Sequence, residues 1–171
     1  MRTIWLVGMM GAGKSQVGAL VAERLRRDFV DTDAMIERAA GTPIAELFTR
    51  EGEAGFRKRE REAIENVAGG ALVVALGGGA IAQPGAWEQL AGSGTIVYLR
   101  ARPETLLGRI RHAADRPLLH GLFGEDRLRR IGELLAERSP SYERASIVVD
   151  TDALSPSEVA DAILGRLRGS P

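Results

Sequence analysis

Cysteine is missing from this chain of 171 residues. Its absence excludes disulfides and cysteine-based zinc sites, and it suits a reducing compartment. Lysine is nearly missing: Lys14 and Lys58 are the only two, and every other basic residue is arginine. The position of a lysine therefore carries weight. Net charge is lacking as well, because 23 basic residues balance 23 acidic ones. A general nucleic-acid binder usually shows a basic excess, so no nucleic-acid partner is expected. Long apolar runs are also absent, and none reaches the length needed to cross a bilayer. The apolar start, Thr3–Val7, leads straight into a glycine-rich turn, which suits a buried first strand better than an export signal. A cytoplasmic protein without a membrane partner is expected.

What is present points to one α/β domain over residues 1–171. Hydrophobic residues make up 44%, enough for a full core in a chain of this length. Short apolar runs at Thr3–Val7, Asp28–Asp31, Ala71–Ala75, Thr95–Leu99 and Ser146–Val149 read as strands buried on both faces. Between them, apolar residues recur at helical spacing: Val17, Leu20, Val21 and Leu25, then Phe56, Ala63, Ile64 and Val67 over Glu53–Val67, and last Val159, Ile163 and Leu167. Pro103 opens a helix predicted to reach about Arg111. Ser155, Pro156 and Glu158 form a capping box before the final helix. Alternation of strand and helix predicts an open parallel sheet with right-handed crossovers. The stretch from His112 to Gly124 is irregular and holds both histidines, and it reads either as a functional lid or as a plain mobile loop.

The strongest chemical signal is Gly8-Met9-Met10-Gly11-Ala12-Gly13-Lys14-Ser15, between the first strand and an amphipathic helix. This is the phosphate-loop pattern in its proper context. Glycines let backbone N–H groups turn toward phosphate oxygens, and the helix N-terminus adds partial positive charge. Gly11, Ala12, Gly13, Lys14, Ser15 and Gln16 are the predicted ATP contacts, with Lys14 on the β- and γ-phosphates and the Ser15 hydroxyl on Mg²⁺.

Asp31-Thr32-Asp33 follows the second strand, at the end where open α/β sheets bind ligands. If the segment stays extended, both aspartates point the same way. Asp31 is then a metal candidate and Asp33 an acceptor-orienting or basic group, the competing reading being that Asp33 caps the next helix. Gly77-Gly78-Gly79 ends the third strand where many phosphate-loop proteins place a metal-binding Asp. That favours Asp31 for Mg²⁺, and it lets backbone approach a ligand. By spacing alone, Arg57 reads as part of a solvated helix face with Glu53 and Arg61, the alternative being a bidentate carboxylate anchor. Arg138 reads as a helix-terminal charge before Pro140. Arg116, stiffened by Pro117, suits a lid arginine closing over phosphates.

Together these segments closely resemble the shikimate kinase family, in order and over nearly the whole chain: Gly8–Ser15, Asp31-Thr32-Asp33, Gly55-Phe56-Arg57, Gly77-Gly78-Gly79, Arg116-Pro117-Leu118-Leu119, and Arg138 before Pro140 and Tyr142. The resemblance implies a three-layer α/β/α phosphate-loop NTPase fold with a five-stranded parallel sheet and a mobile lid over about 112–124. It implies a monomeric enzyme that phosphorylates the 3-hydroxyl of shikimate with ATP and Mg²⁺, in aromatic amino-acid biosynthesis. It further implies that Asp33 holds substrate hydroxyls, that Arg57 and Arg138 hold the carboxylate beside Gly78 and Gly79, and that Glu60 orients Arg57. Lys14, Asp33 and Arg116 become the catalytic candidates, and Arg109 is placed near adenine. Two positions depart from the family pattern: Ser141 stands where an apolar residue is expected, and Asp152-Ala153-Leu154 lacks an Arg or Asn at the adenine edge. Gluconate and nucleoside-monophosphate kinases are the competing assignments. A guanine-reading switch is disfavoured because Asn66, the only asparagine, precedes Val67 rather than Lys.

Overall fold

A computed structural model describes residues 2–110 and 117–169. Five parallel strands form one sheet in the order β2-β3-β1-β4-β5. They are β1 (Thr3–Val7), β2 (Phe29–Asp31), β3 (Val73–Ala75), β4 (Gly94–Arg100) and β5 (Ile147–Asp150). The apolar runs locate all five, with ends shifted by one or two residues. Strand β1 is buried along its whole length because β3 and β4 flank it and helices cover both faces.

The helices are α1 (Lys14–Leu25), α2 (Thr32–Ala40), α3 (Ile44–Val67), α4 (Ala86–Ser93), α5 (Pro103–Arg109), α6 (Gly124–Tyr142) and α7 (Pro156–Gly169). The chain moves one way across the sheet from β1 to β2 and the other way from β2 onward. Right-handed crossovers therefore put α1 on one face and α3, α4 and α6 on the other. Helix α7 returns to pack on α1. The reversal leaves a crevice between the carboxyl ends of β1 and β3, where such folds bind ligands.

Helix α3 is longer than the predicted Glu53–Val67. It is two helical segments joined at Gly52, which adopts φ 70° and ψ 179°. Glu51 and Arg59 clasp this break: Arg59 Nε lies 2.7 Å and Nη2 2.8 Å from the two carboxylate oxygens. Helix α6 continues past Arg138 and through Pro140, contrary to the expectation that it stops before the proline. Pro140 sits in the last turn, so the helix loses only the one N–H that would have closed onto Ala136, and Glu143 N still donates to Ser139 O at 2.9 Å. The capping box of α7 is formed, with Ser155 N and hydroxyl donating to Glu158 and Glu158 N returning to the Ser155 hydroxyl.

The main core joins both helical layers to the sheet through Trp5, Leu6, Val21, Leu90, Leu99 and Ile163. A second cluster, Ile36, Leu47, Phe56 and Ala63, ties α2 to both halves of α3. Together they fix the crevice from above and below. No helix among the described residues is long and apolar enough to cross a membrane.

Candidate active site

The loop between β1 and α1 is shaped by Gly8, Gly11 and Gly13, all at positive φ. Gly13 occupies the N-cap of α1 in the left-handed region, and no side chain caps this helix. The first-turn N–H groups thus have no side-chain acceptor, the arrangement that favours an anion at a helix start. Lys14 arches back over the loop, its ammonium donating to Gly8 O at 2.8 Å and Met9 O at 3.0 Å. From there the ammonium stands where a bound phosphate would compete for it.

Beside the loop, Ser15 donates its hydroxyl to Asp31 Oδ2. Asp31 Oδ1 accepts from the backbone N–H groups of Asp33 at 3.0 Å and Ala34 at 3.3 Å. The cap of α2 is therefore Asp31, not Asp33. The extended geometry assumed for Asp31-Thr32-Asp33 ends at Asp31, because Thr32 already begins the helix. Both carboxylates nonetheless line the same cleft, since one helical start turns Asp33 back toward the phosphate loop. The buried Thr32 hydroxyl pins this corner: it donates to Ala75 O at 3.3 Å and accepts from Gly77 N at 3.2 Å.

That cleft has a volume of about 1050 Å³, room for a nucleotide. Gly11, Ala12, Gly13, Lys14, Ser15 and Gln16 line it at one end, and Arg109, Thr151 and Leu154 at the other. Arg109 grips the turn after β5, with Nη1 2.9 Å from Thr151 Oγ1 and Nη2 2.6 Å from Thr151 O.

Next to it lies a smaller recess bordered by Ile44, Phe48, Arg57, Glu60, Gly79 and Arg138. Met10, Asp33, Ile44 and Gly78 border both spaces. Arg57 is not on a solvated face. It is 7% exposed, and its Nη1 lies 2.6 Å from Glu60 Oε2 and its Nη2 3.0 Å from Glu53 Oε1. Burial works against the Arg57 charge, but Glu60 and Glu53 outweigh it and hold the guanidinium above its ordinary value. Burial raises the Glu60 carboxyl, with Arg57 offsetting only part of the effect. One Glu60 oxygen, Oε1, is buried without a hydrogen-bond partner. Arg138 is 4% exposed and reaches Met9 Sδ at 3.6 Å. The glycine triplet lets these charged groups pack close: a Cβ on Gly79 would stand 2.6 Å from Arg57 Nη2, one on Gly78 3.3 Å from Arg138 Nη1, and one on Gly77 2.5 Å from Glu60 Oε1.

Arg116 lies outside the described residues, as does the predicted lid from 112 to 116. The part of the lid that is described packs inward. Leu119 is fully buried, and Pro117 and Leu118 border the small recess.

Sequence reasoning missed three contacts. Tyr142 is buried and donates its hydroxyl to Gly78 O. Burial raises that hydroxyl far above its ordinary value, so it remains a donor. Thr32 was passed over between two aspartates, and Met9 was not linked to Arg138. All three join residues remote in sequence, which no local spacing reports.

Comparison with known proteins identifies the family. A family model described as shikimate kinase matches residues 10–168. A shikimate kinase of Chlorobium chlorochromatii is 45% identical over 156 residues, covering 88% of this chain and 82% of its own. That of Halorhodospira halophila is 44% identical over 170 residues, covering 98% and 94%. Among solved structures, a shikimate kinase from Acinetobacter baumannii in complex with shikimate superposes with a TM-score of 0.93 at 38% identity, covering 99% of this chain and 94% of that one. A gluconokinase from Sinorhizobium meliloti shares the fold at a TM-score of 0.63 and 20% identity, covering 98% and 92%.

Proposed function

The chain belongs to the shikimate kinase family and is an enzyme of that activity, transferring the γ-phosphoryl group of ATP to the 3-hydroxyl of shikimate; we propose how its own residues perform the transfer. The observation that carries the reading is the four-residue border of Met10, Asp33, Ile44 and Gly78, which brings a cleft for phosphates against a recess built around two buried arginines.

In-line phosphoryl transfer needs positioning and charge stabilisation more than covalent chemistry. The N–H groups at the start of α1, together with Gly11, Ala12 and Gly13, seat the β- and γ-phosphates. Lys14 leaves the carbonyls of Gly8 and Met9 to meet the phosphate oxygens. Gln16 lines the same end of the cleft, and Arg109 with the turn at Thr151 and Leu154 forms the adenine side. Arg57 and Arg138 clamp the acceptor carboxylate beside the backbone of Gly78 and Gly79. Arg57 is held for this task by Glu60 and Glu53. Asp33 accepts a hydrogen bond from the acceptor hydroxyl and aims its oxygen at phosphorus, standing ready to take its proton. Arg116 completes the site from the lid, stabilising charge on the transferred group and helping to exclude water.

Ser15 and Asp31 suit Mg²⁺, because a hydroxyl and a carboxylate already in contact offer hard oxygen ligands of the right charge. Bound there, the ion would neutralise phosphate charge. We propose a monomer acting in the cytoplasm.

The test is ADP release from purified protein offered shikimate, gluconate or nucleoside monophosphates. Turnover of shikimate alone is expected. Comparable turnover of gluconate would overturn the assignment of the acceptor.

A further inference from the structure

Tyr142 lies one turn beyond Arg138 on α6, fully buried, with its ring stacked on Tyr98 at a centroid distance of 4.9 Å and an interplanar angle of 23°. A buried phenol needs a polar partner. Its partner is the carbonyl oxygen of Gly78, which can only accept, so the hydroxyl must donate. The oxygen lone pairs remain to accept from Arg138, which interacts with the same hydroxyl.

The peptide joining Gly78 to Gly79 is planar and trans, so its C=O and N–H point in opposite directions. Holding the carbonyl toward Tyr142 therefore turns the Gly79 N–H away from α6. Close packing fixes the peptide at both ends. Gly78 lies against Arg138 Nη1, and Gly79 lies against the guanidinium of Arg57. Glycine backbone has no side chain to restrict its rotation, so without an anchor this peptide could turn over.

We propose that Tyr142 is a positioning residue for the acceptor, its hydroxyl locking the Gly78–Gly79 peptide between the two arginines so that the amide hydrogen faces the acid. It touches neither substrate and acts through Gly78 and Arg138. This inference rests on shikimate being the acceptor, and the wild-type protein in the same assay reports on that separately.

The test is Tyr142→Phe, which keeps the ring and its stacking on Tyr98. The KM for shikimate rises about 5- to 20-fold, as befits one lost hydrogen bond beside a charged group. The KM for ATP and kcat stay within about twofold of wild type, because neither group of the phosphate cradle touches this hydroxyl. A hydroxyl serving only packing would change the unfolding midpoint and leave the KM for shikimate where it was, and that result overturns the proposal. Equal rises in both KM values would overturn it too. Should the variant fail to fold, proton NMR of the wild type decides. The Tyr142 hydroxyl proton resists exchange and shifts on adding shikimate but not on adding ADP, whereas a resonance indifferent to shikimate sinks the inference. If wild-type protein does not phosphorylate shikimate, the assigned acceptor is lost rather than the role of the tyrosine.

Discussion

Arg57 and Glu60 form an ion pair one turn apart on α3, Nη1 to Oε2 at 2.6 Å, with both side chains nearly sealed from water. A pair of this kind is costly to break from one side, since the remaining charge stays buried. Glu60 takes one end of the guanidinium and Glu53 the other, which sets it in the wall of the recess beside Gly79.

Arg57→Ala is expected to raise the KM for shikimate about 10- to 150-fold, the loss of about 1.5–3 kcal/mol for a charge-assisted contact. It should also destabilise the fold by about 3–5 kcal/mol by stranding Glu60. Adding Glu60→Gln should recover much of the stability and none of the affinity. Urea unfolding and initial-rate kinetics on the two variants separate these effects, and an unchanged KM would remove Arg57 from the site.

Lys14→Ala is expected to reduce kcat by about 10²–10³-fold or more, the scale of losing a preorganised positive group at developing charge. The Lys14 ammonium meets the loop carbonyls of Gly8 and Met9 at the crevice, and a thermal midpoint measured alongside separates loss of chemistry from loss of fold. Near-normal turnover would refute its role.

Thr32→Val keeps the shape of the side chain but leaves Gly77 N without this acceptor and removes one donor from Ala75 O. Each unsatisfied buried group costs about 1–3 kcal/mol. Thr32→Ser should restore most of that loss, and equilibrium denaturation with an unchanged m-value would show it. Equal stability of the Val and Ser variants would mean that the hydroxyl does not hold this corner.

Arg59, joined by Arg50, lowers the Glu51 carboxyl from 4.5 to about 2. A depressed folded value means that the stabilisation is complete above 4.5 and disappears as pH falls through about 2. Glu51→Gln should therefore lower the thermal midpoint at neutral pH, with the gap from wild type closing across that window. A gap independent of pH would show that the clasp across Gly52 contributes nothing through charge.

The phosphate loop was fully legible in the sequence because its chemistry is backbone geometry, and spacing of Gly8, Gly13 and Lys14 encodes that geometry directly. The strands were legible because burial on both faces leaves unbroken apolar runs. Arg57 was misread from spacing because an Arg between two Glu residues on a helix looks the same whether water or a glycine triplet covers it. Its burial depends on Gly79, which the sheet brings against it across the crevice. Asp31, not Asp33, took the capping role because the extended backbone stopped at Asp31, two residues earlier than the alternation argument assumed. The continuation of α6 through Pro140 was hidden for a similar reason: a proline is tolerated where the helix has only two residues left to run.

The partition between the two cavities is only Met10, Asp33, Ile44 and Gly78 wide. Two separate ligands seated on either side lie near enough to be covalently tethered. An inhibitor carrying a cyclic carboxylic acid on a short oligophosphate nucleoside would gather both sets of contacts while surrendering its translational freedom once. Single-residue resistance would then be hard to acquire, since loosening one half leaves the molecule moored by the other.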